Sequence, residues 1–207
     1  MGNPPPTDLF KPISDERRSQ ILDETLYRRP EKGPLRVFGY GSLMWSPCFD
    51  VIHRELCKLY DYRRSFSIWS VFARGTPEKP GLGFALECEP GACCEGVVFT
   101  LPPDTKREDL IPLWEREMWT ETYEPVWVSV DADGDRQTAL TFKVSTSHPQ
   151  YAGELPTLEK AAYIAEASGK YGTCYEYLAQ TVAELQRLNV HDTEMEDLLK
   201  AVDQLMR

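Results

Sequence analysis

The spacing of apolar residues changes period twice along the chain. Residues 14–29 place Ile21, Leu22, Thr25 and Leu26 on one stripe, which predicts an amphipathic helix that Pro30 ends. From residue 35 the period shortens to two. Leu35, Val37 and Tyr40 read as a strand broken by Gly39 and Gly41, and Phe66, Ile68, Ser70 and Phe72 alternate with Ser67, Trp69 and Val71. Between these runs Leu56, Leu59, Tyr60 and Tyr62 are expected to be half-buried. Residues 83–88 and 96–101 predict two strands joined by a hairpin at Glu89-Pro90-Gly91, and residues 123–130 and 138–146 a second hairpin. A helix through Leu110 and Ile111 is expected to be short or bent at Pro112.

Helical spacing then returns. Residues 157–168 carry Leu158, Ala161, Ala162 and Ala165 on one side, with Gly169 as the stop. Residues 173–188 follow, and a last helix opens on a capping box from Thr193 to Glu196. The start, residues 1–6, is proline-rich and expected to be disordered, and residues 31–34 read as a linker. Helix, antiparallel strands, then helices is an α+β order, compatible with a small closed sheet flanked by helices. It is not the βαβ alternation of a nucleotide-binding sheet.

Composition narrows the function classes. The 207 residues suffice for one good core, and one domain is the default. A net charge of -10 argues against nucleic acid or an anionic membrane as partner, since both require a basic field. An anionic small molecule would have to be held by local donors. No apolar run reaches membrane length and no signal-peptide pattern opens the chain, so the six cysteines are expected to be reduced thiols in the cytosol. None stands at metal-ligand spacing from another cysteine or from His53, His148 or His191, and no metal is expected.

Two stretches carry candidate chemistry. A strand that runs into Gly39-Tyr40-Gly41-Ser42 offers a row of main-chain N–H groups able to hold a carboxylate or phosphate. The alternatives are a plain glycine bulge or a dinucleotide fingerprint. The fingerprint fails because Met44 stands where its third glycine belongs and Trp45-Ser46-Pro47 is a poor helix start. The second stretch is Glu115-Arg116-Glu117, flanked by Trp114, Met118 and Trp119. If extended, it places both carboxylates on one face and Arg116 on the other. A carboxyl drawn from water beside tryptophan gains proton affinity and becomes a usable proton shuttle; the alternative is a solvated charge cluster. Glu117 is the first choice for that shuttle and Glu115 the second. Arg74 can pair a substrate carboxylate or be an ordinary surface arginine, and Tyr123 and Tyr177 can line a pocket or belong to the core.

These stretches carry a resemblance. Val37-Phe38-Gly39-Tyr40-Gly41-Ser42-Leu43 with Trp45, then the Arg-Gly-Thr-Pro run from Arg74 to Gly81, then Glu115-Arg116-Glu117, then Gly169-x-x-Gly172 with Glu176-Tyr177-Leu178, occur in the order found in the ChaC-type γ-glutamylcyclotransferase family, which the chain resembles from about residue 37 to 199. The resemblance implies a small, mostly antiparallel β-barrel flanked by helices over residues 35–207, preceded by a tail and helix at 1–34. It implies that glutathione is cut to 5-oxoproline and cysteinylglycine without a cofactor. It further implies that Val37 to Leu43 cradle the γ-glutamyl group, with Arg74 and Tyr123 beside the substrate, and that Glu117 is the general acid/base. Departures are the longer Met-Trp-Thr-Glu-Thr run before Tyr123 and Cys174 where many members carry Asn; they bear on substrate range. Another γ-glutamyl substrate, or a non-catalytic γ-glutamyl-binding module, is the rival reading. Oligomeric state is left open.

Overall fold

A computed structural model describes residues 8, 10–30 and 33–207. The predicted disorder at 1–6 and the first half of the predicted linker, residues 31 and 32, lie outside the described residues. The chain forms two compact units. One comprises residues 11–63 and 86–145, the other residues 64–85 and 146–207 with Phe10. Strands β2 (His53–Ser70) and β3 (Gly81–Thr100) each contribute to both.

The first unit carries a closed five-stranded barrel in the order β1-β3-β2-β4-β5, where β1 is Arg36–Gly39, β4 Tyr123–Ala132 and β5 Asp135–Val144. Pairing is antiparallel between β1 and β3, β2 and β4, and β4 and β5. The seam is parallel, with Val37 opposite Leu140. Period-two alternation turns Val37, Cys57, Leu59, Val97, Leu140 and Phe142 inward, and all are buried. Thr141 on the other face of β5 is buried too, its hydroxyl donating to the Phe38 carbonyl at 3.1 Å. The β4–β5 turn has Asp133 and Gly134 at φ 52° and 89°, the left-handed pair a tight hairpin requires.

Three expectations are corrected here. Residues 89–91 do not form a hairpin: β3 runs through them, and Gly91 (φ 83°) serves an irregularity in the strand, donating its N–H to Asp61 Oδ1 at 2.9 Å, with Asp61 itself at φ 63°. Pro90 is tolerated because it is exposed. On β2, Leu56 and Tyr60 point to solvent, since Cys57 and Leu59 claim the inner face. Finally, Glu115-Arg116-Glu117 is helical. Pro112 lies in the first turn of α2 (Ile111–Glu117), where a missing N–H costs nothing, so it starts the helix instead of bending it. The N-terminal helix α1 (Asp15–Tyr27) is capped by Ser14 and buries Ile21, Leu22 and Thr25, as the stripe predicts.

The second unit contains α3 (Thr157–Glu166), the two-residue strands β6 (Ser168–Gly169) and β7 (Gly172–Thr173), α4 (Cys174–Arg187) and α5 (Thr193–Leu205). Phe66, Phe84 and Tyr177 stack edge to face or tilted, with centroids 4.6–6.1 Å apart. Leu158 is exposed, against expectation: the buried stripe of α3 is Lys160, Ala161 and Ile164, and Lys160 reaches Glu194 at 3.3 Å. Gly169 is not a helix stop but part of β6. A side chain there would meet Phe72 O and Ala73 C at 2.6 Å.

The cap of α5 is Asp192, one residue earlier than the expected Thr193; its carboxylate accepts from Met195 N–H at 3.2 Å and also pairs buried Arg64. Asp192→Ala is therefore expected to lose about 1 kcal/mol from the cap and more from Arg64, whereas Thr193→Ala loses little. Urea unfolding of the two variants distinguishes the cap assignments.

Candidate active site

The hook grows from the end of β1. Gly39 packs closely: a Cβ there would stand 3.0 Å from Leu43 Cβ and 3.2 Å from Phe99, so its neighbours would have to give by a few tenths of an ångström. The chain then enters a short 3-10 turn, Ser42–Met44, whose first internal bond is Met44 N–H to Gly41 O at 3.0 Å. The N–H groups of Ser42 and Leu43 at its start have no acceptor within the turn. Tyr40 is buried and its hydroxyl donates to the Phe142 carbonyl at 2.8 Å, fixing the hook to β5.

Helix α2 brings the carboxyl. Leu113, Trp114 and Met118 bury its core face, and Trp114 stacks edge-on against Phe142 at 5.3 Å. Glu115 turns to solvent, whereas Glu117 is largely withdrawn from it. The Glu117 side chain is 14% exposed, and its burial raises the carboxyl's proton affinity above the ordinary glutamate value of 4.5, with Arg116 acting in the opposite direction. Arg116 is not on an opposite face, as an extended segment would have it. Its Nη2 donates to Ser42 Oγ at 2.6 Å, its Nη1 to Ser46 O at 2.5 Å, and its Nε lies 3.5 Å from Glu117 Oε1. Cys48 adjoins the pair. Burial pushes its thiol up, Arg116 draws it down and Glu117 raises it again.

The C-terminal end of α2 is secured by the N-terminal segment. Ile13 N–H donates to Trp119 O at 3.0 Å, Arg18 Nε to Met118 O at 3.1 Å, and Arg17 pairs Glu121 at 2.6 Å. These contacts and the Arg116 bracket were not legible in the sequence.

The hook, Arg116 and Glu117 thus belong to one unit, together with Tyr123, half-buried at the start of β4. Arg74 belongs to the other. There its Nη1 donates to Tyr171 O at 2.5 Å and Thr173 O at 3.5 Å, and its guanidinium lies 4.7 Å from the Tyr177 ring centroid. The Arg-Gly-Thr-Pro run and the Gly-x-x-Gly run meet at this point, since Lys170 N–H and Tyr171 N–H donate to Phe72 O and Ala73 O. Tyr177, in the same unit, is half-buried against Phe66 and Phe84. Cys174 is buried, donates to Leu82 O at 3.1 Å and accepts from Leu82 N–H at 3.4 Å, the two-way service that an amide side chain would give. Its thiol is pushed up to about 12 by burial.

A small closed β-barrel in which one arginine joins a glycine-rich turn to a nearly buried carboxyl is the arrangement the chain presents. The chain belongs to the ChaC-like protein family, whose pattern it matches over residues 35–205. It is 37% identical to the glutathione-specific γ-glutamylcyclotransferase of Escherichia coli (strain K12), over 93% of this chain and 83% of that protein. It is 32% identical to glutathione-specific γ-glutamylcyclotransferase 1 of Danio rerio, over 79% of this chain and 84% of the relative. A crystal structure of a yeast γ-glutamylcyclotransferase specific to glutathione has the same fold, with a TM-score of 0.78 at 23% identity, covering 85% of this chain and 98% of that one. Among the described residues no helix is long and apolar enough to cross a membrane.

Proposed function

We propose that this chain is a glutathione-cleaving γ-glutamylcyclotransferase with Glu117 as its acid/base. The observation that carries the reading is a nearly buried carboxyl of raised proton affinity, bracketed by Arg116 to Ser42 of the glycine hook. In this reaction the α-amine of the γ-glutamyl group attacks its own γ-carbonyl carbon. A C–N bond closes the five-membered ring, and the C–N bond to the cysteinyl nitrogen breaks. Two protons leave the attacking ammonium nitrogen and two arrive on the departing nitrogen, so one carboxyl taking and returning protons balances the step, and no water is consumed. Intramolecular attack is worth an effective molarity on the order of 10⁵–10⁸ M, so holding the substrate folded replaces a covalent intermediate.

The hook from Val37 to Leu43 holds the γ-glutamyl end in this reading, its N–H groups donating to either the α-carboxylate or the developing oxyanion. Tyr123 lines the substrate in this reading. Incubation with glutathione and with γ-glutamyl dipeptides, scored for 5-oxoproline and cysteinylglycine, tests the assignment. Release from glutathione alone is expected; release only from the dipeptides would give the chain another substrate, and tight glutathione binding without product would make it a binding module.

A pH profile follows from the burial of Glu117. The base must be ionised to accept the amine's proton, so kcat/KM is expected to rise with pH along an acid limb whose midpoint lies above 4.5. A midpoint at or below that value would remove Glu117 as the titrating group.

A further inference from the structure

We propose that Arg116 is a positioning residue that holds the hook and the Glu117 carboxyl in one register. This rests on the reading of Glu117 as the acid/base. The guanidinium uses three of its nitrogen positions on three different targets: Nη2 on the Ser42 hydroxyl at 2.6 Å, Nη1 on the Ser46 carbonyl at 2.5 Å, and Nε beside Glu117 Oε1 at 3.5 Å. Ser42 and Ser46 are the two ends of one further turn, since Ser46 N–H donates to Ser42 O at 2.9 Å. Arg116 therefore grips the Ser42–Ser46 turn at both ends while lying against the carboxyl next to it on α2. A planar fork can do this; a lysine ammonium, a point charge on a flexible stem, cannot span the same targets in fixed geometry. The side chain is 28% exposed, so its pairing with Glu117 is a local steering contact, not a large source of stability.

The arrangement has two separable effects. One is geometric: a hook that drifts from the acid/base by about 1 Å costs on the order of 10²-fold in rate. The other is electrostatic. The groups facing the Glu117 carboxyl are the Arg116 guanidinium, on its own helix, and the Cys48 thiol, on the segment after the 3-10 turn. Arg116 is the positive one, and it favours the ionised carboxylate against the burial that opposes it.

The test compares wild type, Arg116→Lys, Arg116→Met and Glu117→Gln for kcat, KM, thermal unfolding and the pH profile of kcat/KM. Arg116→Met is expected to lower kcat about 10²-fold and to move the acid limb to higher pH. Arg116→Lys, which keeps a positive charge without the fork, is expected to lower kcat while leaving the limb near its wild-type position. A simple packing role would lower the unfolding temperature without moving the limb. If Arg116→Met fails to fold, Arg116→Lys decides: wild-type kcat in that variant overturns the proposal, and reduced kcat with an intact fold supports it. If Glu117→Gln is inactive while Arg116→Met keeps wild-type kcat and limb, Arg116 has no positioning role. If Glu117→Gln retains turnover, the acid/base reading itself has failed.

Discussion

Glu117→Gln is expected to reduce 5-oxoproline release from glutathione by about 10²–10⁴-fold, the usual worth of a positioned acid/base, with glutathione binding preserved. The amide fills the same volume at the end of α2 and disturbs neither Leu113 and Trp114 beneath it nor the Arg116 bonds to Ser42 and Ser46. It cannot carry protons between the two nitrogens. Product release followed by chromatography, with binding by calorimetry, separates the two effects. A stability readout accompanies it. Burial raises the folded-state value of Glu117 above the ordinary 4.5, so in this window the folded protein binds more protons than the unfolded one. The stability contributed by the neutral carboxyl is complete below the unfolded value and is lost as pH rises through the folded one. Glutamine does not ionise, so the variant should gain stability relative to wild type at mildly alkaline pH, and the difference should disappear toward acid. Equal stabilities at both ends would show that Glu117 is not held in a desolvated site.

Gly96→Ala carries the second large effect, and it acts from outside the site residues. Gly96 on β3 lies against the end of β1, where an added Cβ would stand 2.5 Å from the Gly39 carbonyl and 2.7 and 2.8 Å from the Phe38 ring. Neither can yield: the carbonyl is backbone, and the Phe38 ring is fully buried. Overpacking of this kind costs about 1–3 kcal/mol, and here the displaced atoms belong to the hook. The variant is expected to unfold at lower temperature and to show raised KM for glutathione even where it remains folded. Gly91→Ala offers the contrast, because its Cβ would meet nothing within 4 Å and only the positive φ of 83° is strained. A Gly96→Ala protein with wild-type melting and KM would mean that β1 relaxes freely and that the hook is not held by this packing.

Much of the fold was legible where periodicity was strong. The α1 stripe and the β4–β5 hairpin stand as read, the first because it buries one face of a helix and the second because its turn residues and period-two runs agree. Failures came where one residue type serves two structural purposes. Pro90-Gly91 reads as a turn, yet the glycine pairs with Asp61 inside a continuing strand. Pro112 reads as shortening or bending its helix; the helix is short, with the proline in its first turn. Leu158 reads as core but is exposed, while the long stem of Lys160 lies buried and finds Glu194. At the site, the hook and Glu117 were visible as a glycine run and a carboxyl among tryptophans. The role of Arg116 was not, because treating residues 115–117 as extended turned the guanidinium away from the carboxyl. The grip of Ile13 and Arg18 on Trp119 and Met118 was equally hidden, since it joins residues about a hundred positions apart through main-chain carbonyls that leave no trace in composition.

The barrel's parallel seam has a consequence for how this protein matures. Tyr40 and Phe38 are anchored by Phe142 and Thr141, 102 and 103 positions downstream. During synthesis at about 5–20 residues per second, the hook emerges early and waits, without its moorings, until β5 has left the ribosome. Contacts this remote in sequence form slowly. Catalytic competence should therefore appear abruptly, with barrel closure, and nascent chains ending before residue 140 should have none.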